Sequence, residues 1–116
     1  MHTATDYALW GIIVHLVVDW LFQNDYLAKN KVSLRHPAAW VHSGLHALAL
    51  LLVFPPIYAV GIGILHLLID TRIPLTWWRK AYRQTTEGPF AIHVALWSDQ
   101  VLHIAVIALA ALLVTR

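Results

Sequence analysis

The chain has no cysteine. Disulfides, cysteine-ligated zinc and iron–sulfur clusters are therefore excluded, and the redox compartment is left open. Charge is scarce too. Asp, Glu, Lys and Arg make up 12 % of 116 residues, about half the roughly 25 % of a soluble domain. So short a chain has a high surface-to-volume ratio and would need a polar coat in water. With 59 % apolar residues that coat is missing, and lipid is the expected solvent. The net charge of +2 is too small to suggest nucleic acid as a partner. The opening MHTATDYALW has no basic region and carries Asp6, and no small-x-small cleavage site follows the first apolar run. That run is expected to be a membrane segment, interrupted by His15 and Asp19, and not a cleaved signal peptide.

What is present are long apolar segments, at about 7–22, 38–54, 57–70 and 90–114. The Pro55-Pro56 pair must end the second, because proline lacks an N–H and clashes with the preceding turn. The runs are long and do not alternate strictly, which argues against barrel strands. The expected fold class is all-α: one domain over 1–116, a polytopic bundle of four transmembrane helices. A short basic, aromatic interfacial helix over 75–83 is expected between the third and fourth segments. Segments one to three are short for a hydrocarbon core of ~30 Å, so flanking residues, snorkelling or local thinning must make up the length. Six Trp and four Tyr suit anchoring at the interface.

Seven of the eight Lys and Arg residues fall in two polar stretches. Lys29, Lys31 and Arg35 lie in the first, and Arg72, Arg79, Lys80 and Arg83 in the second. Four crossings put both stretches on one side, and the positive-inside rule then places them in the cytoplasm with both termini outside.

Each apolar segment carries a polar pair at i, i+4: His15/Asp19, His42/His46, His66/Asp70 and Asp99/His103. Four residues is one helical turn plus about 40°, so both members of a pair leave one face and can bind one metal ion. On the expected topology the four pairs lie near one depth in the cytoplasmic half. An Asp at the centre of a membrane helix costs ~2.5–3.5 kcal/mol, so Asp19, Asp70 and Asp99 must face each other, water or a cation. Imidazole with carboxylate suits zinc, iron, manganese or copper, and these eight side chains are enough for two ions. The arrangement is loosely like carboxylate-bridged two-metal bundles, although no Glu takes part. A metal-free His–Asp network that fixes helix packing and a b-type haem are the alternatives.

Other residues carry weaker signals. His93 falls off the Asp99/His103 face, and His2 and His36 are expected to be solvated. Gln23 can extend the His15 face. Gln100 sits on a different face from Asp99 and is expected to pack or to support a ligand. Asp25, Lys29 and Lys31 border the site. Ala105, Ala108 and Ala111 permit close helix approach and a homo-oligomer.

The stretches HLVVDWLFQNDYLAKNK (15–31), VHSGLHALAL (41–50), HLLID (66–70) and SDQVLH (98–103) resemble a family of small bacterial membrane proteins, the domain of unknown function 3307. The resemblance implies a polytopic protein of the bacterial inner membrane and implies no reaction.

From the residues themselves, the function expected is that of a metal-dependent membrane hydrolase. Its metal sites would use the eight His and Asp side chains, with a catalytic role among Asp19, Asp70 and Asp99. Its partner would be the bilayer, and its substrate a lipid or lipid-linked ester or phosphoester. Lys29, Lys31, Arg79 and Arg83 would attract phosphate. The alternatives are a small ion or proton transporter or channel, and a structural or assembly protein with a polar staple.

Overall fold

The computed structural model describes residues 2–84 and 87–116. Its described residues form six helices and no strand: α1 Ala4–Trp20, α2 Asp25–Asn30, α3 Pro37–Leu50, α4 Pro56–Asp70, α5 Ile73–Ala81 and α6 Ala91–Val114. Residues 85–86 of the second polar stretch lie outside the described residues.

Local chemistry explains the boundaries. Thr3 Oγ1 accepts from the Asp6 N–H at 3.1 Å while Asp6 Oδ2 accepts from the Thr3 N–H at 2.8 Å, a reciprocal cap that starts α1. Asn24 Oδ1 accepts from the Leu27 N–H at 2.9 Å and starts α2, a short helix the apolar pattern did not anticipate. His36 is not merely solvated: its Nδ1 accepts from the Ala38 N–H at 3.0 Å and caps α3, with Pro37 in the first helical position. Helix α3 ends at Leu50, earlier than expected, and a turn carries the buried Phe54 back into the core. Arg72 adopts a left-handed backbone (φ 65°) between α4 and α5, where the chain bends by 61°.

Helices α1, α3, α4 and α6 close a ring in which α1 and α4 each pack against both α3 and α6. Two glycines permit the approach. A Cβ on Gly11 would meet Ile107 Cγ2 at 2.7 Å and Phe54 Cε2 at 2.9 Å; one on Gly63 would meet Ala47 Cβ at 2.8 Å. One end of the ring is an apolar core of Leu50, Phe54, Ala59, Ile62, Ile107, Ala110 and Ala111. At the other end the buried side chains include His15, Asp19, His42, His46, His66, Asp70, Gln100 and His103. There α2 packs on α3, and α5 packs on α4 and α6.

By length and composition one described helix, α6, can cross a bilayer, or two spans if the bent α4–α5 pair counts as one. Helices α1, α3 and α4 have 17, 14 and 15 residues, about 26, 21 and 23 Å at the helical rise. Many large apolar side chains face outward, including Leu48, Leu52, Ile57, Val101, Leu109 and Leu112.

Candidate metal centre

The ring brings all four i, i+4 pairs to one place. His15 and Asp19 come from α1, His42 and His46 from α3, His66 and Asp70 from α4, and Asp99 and His103 from α6. All except Asp99 are buried, and the Asp99 side chain is 19 % exposed.

The two buried carboxylates organise the centre. Asp19 Oδ1 lies 3.0 Å from His42 Nε2 and 3.3 Å from His46 Nε2, and Asp19 Oδ2 lies 3.8 Å from His15 Nε2. Asp70 Oδ1 lies 3.2 Å from His103 Nε2, and Asp70 Oδ2 lies 2.9 Å from His66 Nε2 and 3.4 Å from His42 Nε2. Asp99 Oδ1 is 3.5 Å from His103 Nε2. All five imidazoles therefore turn Nε2 toward a carboxylate. The rings also touch one another: His46 stacks on His66 at 3.7 Å between centroids and His66 on His103 at 4.1 Å.

These separations suit a metal. Donors bound at 2.0–2.1 Å stand about 2.9 Å apart as octahedral neighbours and about 3.3 Å apart at tetrahedral corners. Three donor groups have ligand atoms that all lie within 4.8 Å of one another: Asp19/His42/His46/His66, His15/His66/His103 and Asp70/Asp99/His103. Buried His and Asp side chains that can hold a metal ion are thus present.

Two residues in the centre carried a weaker signal in the sequence. Gln100 is buried, donates from Nε2 to Asp19 Oδ2 at 2.9 Å, and lies within 3.1 Å of His15 Nε2 through Oε1. Its Nε2 also reaches Asp99 Oδ2 at 3.3 Å. It sits among the ligand candidates despite its offset around α6. A buried amide in an apolar helix needs partners as a carboxylate does, and that cost would have found it. Lys31, the C-cap of α2, places Nζ 3.8 Å from both Asp19 Oδ1 and Asp70 Oδ1.

A cavity of about 610 Å³ opens beside the cluster. Asp19, Asp70, Asp99 and Gln100 line it together with Lys31, Arg72, Arg79 and apolar Trp20, Leu75 and Leu96. Gln23 also lines it, as its position after His15 suggested. Of the four expected phosphate-binding residues, Lys31 and Arg79 line this cavity; Lys29 and Arg83 are exposed and do not. Arg72, which the sequence did not single out, takes a place there through the bend after α4. His93, off the Asp99/His103 face, is exposed, and so is His2, which was expected to be solvated.

A family model described as "Protein of unknown function (DUF3307)" matches residues 8–116. The chain belongs to this family. The match runs through all four ring helices and every member of the His/Asp cluster, so the resemblance carried by the four motifs extends across essentially the whole chain. No curated protein and no solved structure matches it.

Proposed function

We propose that this DUF3307 protein is a membrane-embedded, metal-dependent hydrolase that cleaves a phosphoester in a lipid or lipid-linked substrate at the cytoplasmic face of the bilayer. The observation that carries the proposal is the cavity. One wall is the carboxylate side of a His/Asp cluster; the rim supplies Lys31, Arg72 and Arg79; Trp20, Leu75 and Leu96 add apolar surface. Cationic groups suit a phosphate, apolar surface suits an acyl or prenyl chain, and a cluster of this composition suits a divalent ion.

Location in a membrane is supported by the inversion of the usual burial pattern. The described core holds five imidazoles and two carboxylates, while long apolar side chains on α1, α3, α4 and α6 face outward. Large apolar side chains exposed along four helices suit contact with a membrane or another protein. Four spans with both basic stretches in the cytoplasm would put the cluster in the cytoplasmic half, since Lys31 reaches it. The short helices α1, α3 and α4 would be accommodated by local thinning.

A bound divalent ion supplies Lewis acidity and an activated water. Lys31, Arg72 and Arg79 hold the phosphate against the carboxylate wall. The water oxygen forms the new bond to phosphorus and the ester P–O bond breaks. Asp99, the most exposed of the three carboxylates in the cluster, takes the water's proton and returns it to the leaving alkoxide. Protein purified in mild detergent without chelator is expected to carry stoichiometric zinc, iron or manganese. It is also expected to hydrolyse synthetic lipid phosphomonoesters or phosphodiesters until EDTA is added. Metal-free protein from such a preparation would overturn the proposal.

One observation favours a second function. His42, Asp19 and His46 form an imidazole–carboxylate–imidazole chain, with both Nε2 atoms on Asp19 Oδ1 at 3.0 and 3.3 Å, of the kind a proton-coupled transporter would use. Proton flux into liposomes containing the protein, with no hydrolysis, would favour it over catalysis.

A further inference from the structure

We infer that the cluster is a two-ion centre bridged by the Asp70 carboxylate. The inference rests on the metal-dependent reading of the cluster and assigns its ligands.

Two of the donor groups share no residue: Asp19/His42/His46/His66 and Asp70/Asp99/His103. Each has ligand atoms within 4.8 Å of one another. Together they offer seven side chains, more than the four to six that one transition-metal ion takes. Asp70 stands between the groups with one oxygen turned to each. Oδ1 lies 3.2 Å from His103 Nε2 in its own group, and Oδ2 lies 2.9 Å from His66 Nε2 and 3.4 Å from His42 Nε2 in the other. A carboxylate that faces two nitrogen sets through different oxygens has the form of a bridging ligand. Carboxylate-bridged ions sit roughly 3.5–4 Å apart in two-metal hydrolases.

An independent observation points the same way. His66 Nε2 and Asp70 Oδ2 are 2.9 Å apart and both residues are 2 % exposed, an ion-pair distance at which the angles do not make a hydrogen bond. Buried polar atoms held this close without good hydrogen-bond geometry are costly. Close approach without a hydrogen bond is what two lone pairs aimed at a common cation look like.

Charge agrees. With neutral imidazoles, the cluster sets Asp19, Asp70 and Asp99 against the Lys31 ammonium. One divalent ion would neutralise this set; two make it cationic, which an anionic phosphoester requires. Asp99 binds through Oδ1, on the His103 side, and keeps Oδ2 for the water's proton. His15 belongs to neither group. Its Nε2 is engaged by Gln100 Oε1 at 3.1 Å, and it positions Gln100, which in turn donates to Asp19.

The test is metal counting on detergent-purified full-length protein, stripped with chelator and reloaded with Mn²⁺. Two Mn²⁺ per chain are expected, with a low-temperature electron paramagnetic resonance spectrum of a spin-coupled pair. Asp99→Asn is expected to halve the count and give the six-line spectrum of isolated Mn²⁺, whereas His15→Ala keeps two. One ion per chain in the unsubstituted protein, with an isolated-ion spectrum, would overturn the two-ion centre and leave a one-metal hydrolase standing. Zero ions would overturn the metal reading itself. Two uncoupled ions would overturn the Asp70 bridge. The unsubstituted protein alone gives both the count and the coupling, so the test still decides if a variant fails to fold.

Discussion

The two ends of the helix ring are built from the same four helices by opposite chemistry. At one end Leu50, Phe54, Ile62 and Ile107 meet side chain to side chain, and α1 approaches α6 over the bare Cα of Gly11. There any group of the right shape and polarity would serve, because dispersion and burial are not directional. At the other end five imidazoles and three carboxylates meet, each imidazole Nε2 within 3.8 Å of a carboxylate oxygen. Ion pairs in such a place repay their desolvation only when each partner is present and well oriented. The apolar end packs the helices together; the polar end depends on that packing for its geometry and makes the candidate site.

This contrast can be broken most severely at the polar end. Asp19→Ala removes the carboxylate shared by His42, His46, Lys31 and Gln100. Stripping one partner from a buried charge network costs about 3–5 kcal/mol, and denaturant unfolding in detergent should show a loss of that size together with loss of bound metal. Leu50→Ala at the apolar end should cost about 2–5 kcal/mol through the cavity it leaves. Its metal content should be unchanged and its loss equal with and without EDTA. Equal chelator sensitivity of the two variants would erase the distinction between the ends.

A milder probe is Gly11→Ala. Its Cβ would fall 2.7 Å from Ile107 Cγ2, so α1 and α6 must separate or Ile107 must leave its rotamer. Overpacking of this kind costs about 1–3 kcal/mol, readable as a lowered Tm with full metal content. Thr3→Ala sharpens the comparison from outside both ends. It removes the side-chain half of the α1 cap, should cost about 1 kcal/mol, and should leave metal stoichiometry untouched.

Much of the centre could be read from sequence because helical periodicity is local. The pairs His15/Asp19, His42/His46, His66/Asp70 and Asp99/His103 needed only a 3.6-residue repeat to share a face, and the cost of unpaired Asp in an apolar helix required them to converge. The four apolar segments emerged with boundaries close to α1, α3, α4 and α6 for the same reason, with Pro55-Pro56 marking the hairpin between α3 and α4. Gln100 was assigned a supporting place because position 100 is rotated from position 99. Yet α6 packs against both α1 and α4, so its interior sector is wide enough to hold both residues. Helix α2 lacks an apolar repeat altogether and is specified by the Asn24 cap and its packing on α3.

Sequence alone established which polar residues interrupt the apolar segments, how they are spaced along each helix, and that seven of eight basic groups lie in two stretches. Those are properties of single segments and follow from backbone geometry and transfer free energy. Helix packing set which imidazole faces which carboxylate, that Asp70 turns one oxygen to each donor group, and that Lys31 and Arg72 rather than Lys29 and Arg83 border the cavity. Such pairings depend on helix rotation, on the close approaches at Gly11 and Gly63, and on the bend at Arg72. Contacts between segments remote in sequence set these features, and no local pattern encodes them.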